Sequence, residues 1–281
     1  MNFNLINYLK IKKNIVSFAK NKNYHLCNSY HLGDNVFNFI LFYNLKEIIE
    51  NNNIIINYYA KQEYINQLSE FICSKNIILQ PLQNKPESTI EIWINNGYFN
   101  LRHVDMADKF PIFYNRYYIN FFNNVLQRLF INYKLTRLFY VDEELIQRYE
   151  KIDNKFKNLD ILFINSEPLS GQYPYKKKEW DTYIKNINNL YKISTTSKVN
   201  NILCTSDNNL TIKDIASIST NVKVIIAINS GVVPGLLNIH TLQNVKKCYI
   251  FDTRCLYSYP NFENRNNIND IKVEELRMLI N

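Results

Sequence analysis

Two consecutive α/β units, each a parallel sheet with crossover helices, are the fold this sequence predicts. Three observations carry the prediction. Runs rich in β-branched residues alternate with segments of helical periodicity, and the alternation occurs twice, around residues 20–100 and 160–252. Hydrophobic residues make up 46% of the chain and charged residues 21%, enough apolar material for a buried core and too much for a disordered chain. Glycine is scarce, with only 5 in 281 residues. Four of Gly33, Gly97, Gly171, Gly231 and Gly235 fall in loops after predicted strands, where the backbone needs positive φ or close approach.

In chain order, residues 5–20 carry a mixed helical pattern and predict an exposed N-terminal helix. Tyr24–Ser29 reads as a strand, His31 to Asn35 as a turn, and Val36 to Glu50 as a helix with apolar positions near a 3.6 period. Ile54–Tyr59 is a β-branched run and a strand, Gln62 to Ser74 a helix, and Ile77–Leu82 and Ile90–Asn95 strands. Phe113 to Ile131 is apolar nearly all round and predicts a buried helix. Leu138–Val141 is a short strand candidate. Asp142 to Phe156 is a polar helix with Asp142 as its N-cap and the expected connector between the halves. The alternation then restarts: strand Asp160–Ser166, helix Trp180 to Tyr191, strand Asn201–Thr205, helix Thr211 to Ser219, buried strand Val222–Asn229, a short helix at Pro234–Ile239, strand Lys247–Asp252 and a closing helix Ile268–Ile280. This order divides the chain into an N-terminal unit, 1–155, and a C-terminal unit, 156–281.

Several function classes are disfavoured. No apolar run approaches the roughly 20 residues that cross a bilayer. The first twenty residues lack the continuous apolar stretch and small-residue cleavage site of a secretory signal. Five scattered cysteines without a C-x-x-C, and four histidines without H-x-x-x-H, predict neither a disulfide framework nor a metal site; buried thiols in a cytoplasmic protein are the expectation. The net charge of +8 suits an anionic ligand or membrane surface, but the basic residues are dispersed and no RNA- or DNA-binding signature is present, so no nucleic-acid partner is expected. The Asn, Ile, Lys and Tyr skew matches AT-rich coding, as in an AT-rich microbe or a large DNA virus.

In open parallel sheets ligands bind beyond the carboxyl ends of the strands, so the loops there are the candidates. His31-Leu32-Gly33-Asp34-Asn35 offers Asp34 as a general base, or Gly33 and the following amides as a phosphate cradle; the plainer alternative is that Asp34 caps the helix. The stretch from Asn165 to Lys178 combines Ser166, Gly171 and Lys176–Lys178, which suits a diphosphate but is equally the pattern of a solvated basic loop. Thr205-Ser206-Asp207 could touch a ribose or base, or simply form a turn. Asn229-Ser230-Gly231-Val232-Val233-Pro234-Gly235 follows the strongest strand and leads to a helix start, an arrangement that holds anions. Asp252-Thr253-Arg254, after the last predicted strand, supplies an arginine for phosphate or carboxylate. The chain has no P-loop, no G-x-G-x-x-G and no G-x-S-x-G elbow.

Two Rossmann-like halves with a cleft between them and a closing helix resemble the GT-B glycosyltransferases. More narrowly, His31-Leu32-Gly33-Asp34 with the helix after it resembles the Gly-Asp turn that opens heptosyltransferase-like enzymes of glycosyltransferase family 9. Ile228-Asn229-Ser230-Gly231 resembles that family's Asp-Ser/Thr-Gly-x-x-His segment, and Lys178-Glu179-Trp180 its Lys-x-Trp. Asn229 stands where the family has Asp, and near the family's His position this chain has Gly235, with no histidine until His240. The resemblance implies a metal-independent transferase without a cofactor. It would move a sugar from a nucleotide-diphosphate sugar to a hydroxyl of a glycan or lipid-linked acceptor, in the cytoplasm or peripheral to a membrane. It implies Asp34 as catalytic base with His31, Gly33 and Asn35 on the acceptor side. Ser166, Lys178, Asn229, Ser230, Gly231 and Gly235 would hold the donor diphosphate, with Thr205 and Asp207 near the nucleotide. The alternative is a protein of the same fold that binds a nucleotide or glycan without turnover.

Overall fold

The computed structural model describes residues 22–93, 114–129, 131–169, 171–253 and 259–281. The helix expected over 5–20, Gly97, and Arg254 lie outside them.

The first half is built from β1 (Asn23–Asn28), α1 (Leu32–Asn51), β2 (Ile55–Ala60), a 3-10 turn (Gln62–Tyr64) running into α2 (Ile65–Ser69), β3 (Ile77–Pro81) and β4 (Ile90–Glu91). These strands form a parallel sheet in the order β3-β2-β1-β4, with Asn28 opposite Ala60 and Ala60 opposite Pro81. Parallel pairing follows from the intervening helices, because a crossover returns the chain to the same edge. The helix expected from Val36 begins four residues earlier, since the His31 carbonyl already accepts the Asn35 N–H (3.2 Å) and the Asn35 Nδ2 (2.9 Å). Asp34 is therefore in the first turn rather than at the cap, which is His31 without a side-chain bond. α1 buries almost its whole Val36–Phe42 stretch, and α3 (Tyr114–Arg128) contributes Tyr118, Phe121, Phe122, Val125 and Leu126 to the same core. An apolar pattern all round a helix requires such two-sided cover.

α4 (Glu144–Lys151) leads into the second half. It comprises β5 (Ile161–Ile164), α5 (Lys177–Asn188), β6 (Ile193–Thr195), α6 (Ile212–Ser219), β7 (Val224–Ile228), a 3-10 turn (Val233–Leu236), α7 (Ile239–Asn244), β8 (Lys247–Phe251), β9 (Phe262–Arg265) and α8 (Val273–Ile280). Its strands pair in parallel in the order β6-β5-β7-β8-β9. The segment Asn201–Thr205 is not a strand: it makes one bridge, Cys204 to Thr195, and the sheet position belongs to Ile193–Thr195. Asn201 at φ 65° breaks the extended path at its start. Leu138–Val141 likewise reduces to a bridge between Tyr140 and Asn238. The helix expected at Pro234–Ile239 is a 3-10 turn followed by α7, which Asn238 caps by accepting the Thr241 N–H at 2.8 Å. The helix expected over Asp142–Phe156 runs only from Glu144 to Lys151; its cap is Glu143 rather than Asp142, although Asp142 Oδ1 accepts the Glu144 N–H at 3.1 Å.

Side chains of the second sheet alternate between two cores. Ile161, Phe163, Val224, Ile226 and Ile228 pack with α5 and α8, while Leu162, Ile164, Ile225 and Ala227 face α6 and α7. The second of these cores is continuous with that of the first half. Polar links cross the same boundary: Gln67 Oε1 accepts the Ile212 N–H at 2.8 Å, and Glu70 Oε2 accepts the Thr211 hydroxyl at 2.7 Å. Arg148 bridges Glu70 (2.9 Å) and Asp214 (2.7 Å).

Candidate functional site

The two halves meet at a pair of glycines. A Cβ added to Gly33 would lie 3.0 Å from the Gly231 Cα, and one added to Gly231 would lie 3.4 Å from the Gly33 N. The approach is tight at Gly33, where a side chain would press on the Gly231 backbone, and at ordinary contact distance at Gly231. Asp34 and Ser230 are each next in sequence to one member of this pair. We expect Gly33→Ala to destabilise the fold. Alanine gains at most about 1 kcal/mol in a helix over glycine, whereas an atom forced onto fixed backbone costs about 1–3 kcal/mol. The net loss is measured as a lowered thermal midpoint, and an equal or higher midpoint would show that the loops yield freely.

On the first-half side Asp34 is half-buried, and its Oδ1 accepts the Tyr118 hydroxyl at 2.6 Å. His31 is exposed beside it. Asn35 is turned inward: its Oδ1 accepts the Tyr58 hydroxyl at 2.8 Å, and Asn38 Nδ2 donates to that hydroxyl at 2.8 Å. Burial pushes the Tyr58 phenol well up, so it stays a donor. Asn35 thus ties α1 to β2 inside the core.

On the second-half side the carboxyl ends of the strands carry short polar residues. Asn165 Oδ1 accepts the N–H groups of Thr196 (3.1 Å) and Ser197 (2.8 Å), and Ser166 Oγ lies 3.0 Å from Thr196 Oγ1 and 3.2 Å from Ser197 Oγ. Continuing the strand registers past their ends puts Ser166, Asn229 and Asp252 in one row. Within that row Asn229 Nδ2 donates to Asp252 Oδ2, and Asn264 Nδ2 from the end of β9 donates to the Asp252 carbonyl at 3.0 Å. Ser230 is 7% exposed, and its Oγ has no hydrogen-bond partner. A buried hydroxyl without a partner is costly, and it identifies a place where a ligand oxygen would be favoured.

The remaining candidates separate. Gly235 faces α6, where an added Cβ would lie 2.7 Å from Ile212 Cγ2; its closeness serves packing, and its carbonyl accepts the Tyr140 hydroxyl at 2.8 Å. Lys178 is exposed in the first turn of α5. Lys176 and Lys177 are paired with Glu179 (3.1 Å) and Asp181 (3.2 Å), while the Lys178 ammonium has no partner among the described residues. Trp180 anchors this turn, fully buried edge-on to Phe251 at 4.9 Å. Thr205 is buried, and Asp207 is exposed with Lys198 3.9 Å away. Tyr118, Thr196 and Ser197 were not singled out from the sequence. The Ser194-Thr195-Thr196-Ser197 run after an isoleucine was the available signal for the last two; Tyr118 had none. Among the described residues, no group of three or more His, Cys, Asp or Glu side chains converges as a metal site, and no helix is long and apolar enough to cross a membrane.

No protein-family model matches the chain, and no curated protein matches it by sequence. Solved structures do match it. A glycosyl transferase family 9 structure from Veillonella parvula aligns with a TM-score of 0.52 at 9% identity, covering 93% of this chain and 92% of that one. The E. coli heptosyltransferase WaaC with ADP aligns with a TM-score of 0.52 at 8% identity, over 92% of this chain and 96% of that one. WaaC with ADP-2-deoxy-2-fluoro heptose gives 0.55 at 7% identity, over 92% and 98%.

The chain has the GT-B fold. Both GT-B halves are present, with four and five parallel strands, and their carboxyl edges supply the polar loops described above. At this level of identity the likeness concerns the fold, and the chemistry has to be argued from the residues.

Proposed function

We propose that this GT-B chain is a metal-independent glycosyltransferase that moves a sugar from a nucleotide-diphosphate sugar to a hydroxyl of a glycan or lipid-linked acceptor. The observation that carries this reading is the glycine contact, which joins the first turn of α1, bearing the half-buried Asp34, to the loop after β7, bearing the buried and unpartnered Ser230 hydroxyl. Residues 1–155 form the acceptor side and 156–281 the donor side. Asp34 accepts the proton of the acceptor hydroxyl as its oxygen bonds to the anomeric carbon. The bond from that carbon to the diphosphate breaks, and the nucleoside diphosphate leaves. Ser230, the amides of Gly231 and Val232, Ser166 and Lys178 receive the negative charge, a fixed electrostatic role that needs no metal. Thr205 and Asp207 stand nearer the nucleotide. The solved neighbours with ADP and an ADP-heptose analogue support a nucleotide-sugar donor. Contact with a membrane surface would come through a lipid-linked acceptor.

A thermal-shift titration with ADP, UDP, GDP and CDP, with and without EDTA, tests the reading. One diphosphate is expected to raise the midpoint, and the rise is expected to survive EDTA. At about 100 times its Kd, a ligand of the folded state adds about 2.7 kcal/mol. The absence of any shift at millimolar concentration would remove the donor site.

A further inference from the structure

We propose that Tyr118 is a positioning residue for Asp34, fixing the orientation of its carboxylate at the start of α1 through a hydrogen bond to Oδ1. This rests on the reading of Asp34 as the base. The bond is 2.6 Å long and joins residues 84 apart in sequence. It has the length of a hydroxyl donating to a charged acceptor. The ring that carries it cannot wander. Tyr118 is 2% exposed and stacks on Phe37 with centroids 4.1 Å apart and planes at 20°. Phe121 meets it edge-on at 6.3 Å, and Phe122 is tilted against it at 5.8 Å.

Phe37 lies three residues after Asp34 on the same helix, so the two side chains share a face. A ring laid on Phe37 reaches toward the preceding turn, where Asp34 stands. The donor is thus held by apolar packing that is independent of the carboxylate it serves. Tyr24, also buried, satisfies its hydroxyl on the Leu129 carbonyl at 2.8 Å just beyond the far end of α3. Tyr118 places its hydroxyl instead on a half-exposed acid at the junction of the halves. A hydrogen bond donated to a carboxylate favours its ionised form, the form a base needs. Ionisable groups near Asp34 include the phenols of Tyr58 in β2 and Tyr64 in the 3-10 turn, both raised by burial, with His31 exposed at the cap of α1.

The test is a carbon-13 NMR titration of the aspartate carboxyls in the full chain and in Tyr118→Phe, with the Asp34 signal assigned by its loss in Asp34→Asn. In Tyr118→Phe the Asp34 midpoint is expected to rise by about 1–2 pH units. An unchanged midpoint would overturn the proposal. If Tyr118→Phe does not fold, the pair is read from the other side. The Tyr118 ring carbon bearing the hydroxyl should shift in Asp34→Asn, and a resonance identical to that of the unaltered chain would also overturn it. Neither measurement involves a nucleotide. Failure here therefore leaves the base role of Asp34 standing, whereas failure of the base role appears in the turnover of Asp34→Asn.

Discussion

Asp34→Asn is expected to lower turnover of a nucleotide-sugar donor by about 10²–10⁴-fold, the range a positioned general base contributes, while leaving nucleoside diphosphate binding unchanged. The separation follows from placement. Asp34 belongs to the first turn of α1, whereas the groups assigned to the diphosphate belong to the loops after β5 and β7 and the start of α5. Asparagine keeps the shape and can still accept the Tyr118 hydroxyl, so the fold should hold. It cannot take a proton at neutral pH. The check is a pair of measurements on one preparation: nucleoside diphosphate release from ADP-glucose, UDP-glucose and GDP-mannose, and the thermal shift with the matching diphosphate. Turnover retained within a factor of three would exclude Asp34 as the base. Loss of both turnover and binding would mean that the substitution reached the donor side.

The largest expected loss of stability is at Lys213. Its ammonium lies 2.9 Å from Asp142 Oδ2, with the two side chains 4% and 6% exposed. It also donates to the Glu70 carbonyl at 2.8 Å, and Asp142 accepts the Tyr43 hydroxyl at 2.7 Å. Burial, with Asp142 adding to it, drives the Tyr43 phenol far up, so it remains a donor and cannot compensate charge. Replacing Lys213 by methionine keeps the apolar stem and leaves Asp142 buried without its cation. The expected cost is about 3–5 kcal/mol, since a lone buried charge is far worse than a pair. Urea unfolding of Lys213→Met, and of the same variant with Asp142→Asn, measures it. The double variant should recover part of the loss. A single-variant loss below about 1 kcal/mol would mean that water reaches the pair.

The legible parts of this fold were those written in local pattern. Val224–Ile228 is buried on both faces, and the sequence shows it as an unbroken apolar run. Two strands escaped. Ile193–Thr195 has three residues and one aliphatic side chain. Phe262–Arg265, Phe-Glu-Asn-Arg, is an edge strand whose single apolar residue gives no period. The site was legible because Ser230 and Gly231 follow a strand and Gly33 opens the helix after one, in a chain that spares few glycines. Their relation was not legible. That Gly33 touches Gly231, that Gly235 instead serves Ile212, and that Tyr118 reaches Asp34 are long-range facts which residue spacing does not encode. Asn35 shows the converse limit. Its type and position suggest a ligand contact, but its Oδ1 accepts the Tyr58 hydroxyl and its Nδ2 donates to the His31 carbonyl.

The continuous core bears on how such a chain can change. Ile212, Ile215, Leu236 and Leu242 cover the second sheet, and the apolar cluster they belong to runs on into α1 and β2. A boundary drawn between the halves crosses this cluster and the Lys213–Asp142 pair. Exchanging one half for that of a distant relative would therefore confront mismatched apolar surfaces and a stranded charge. Change confined to the loops at the carboxyl edges leaves this shared core and its buried ion pair intact.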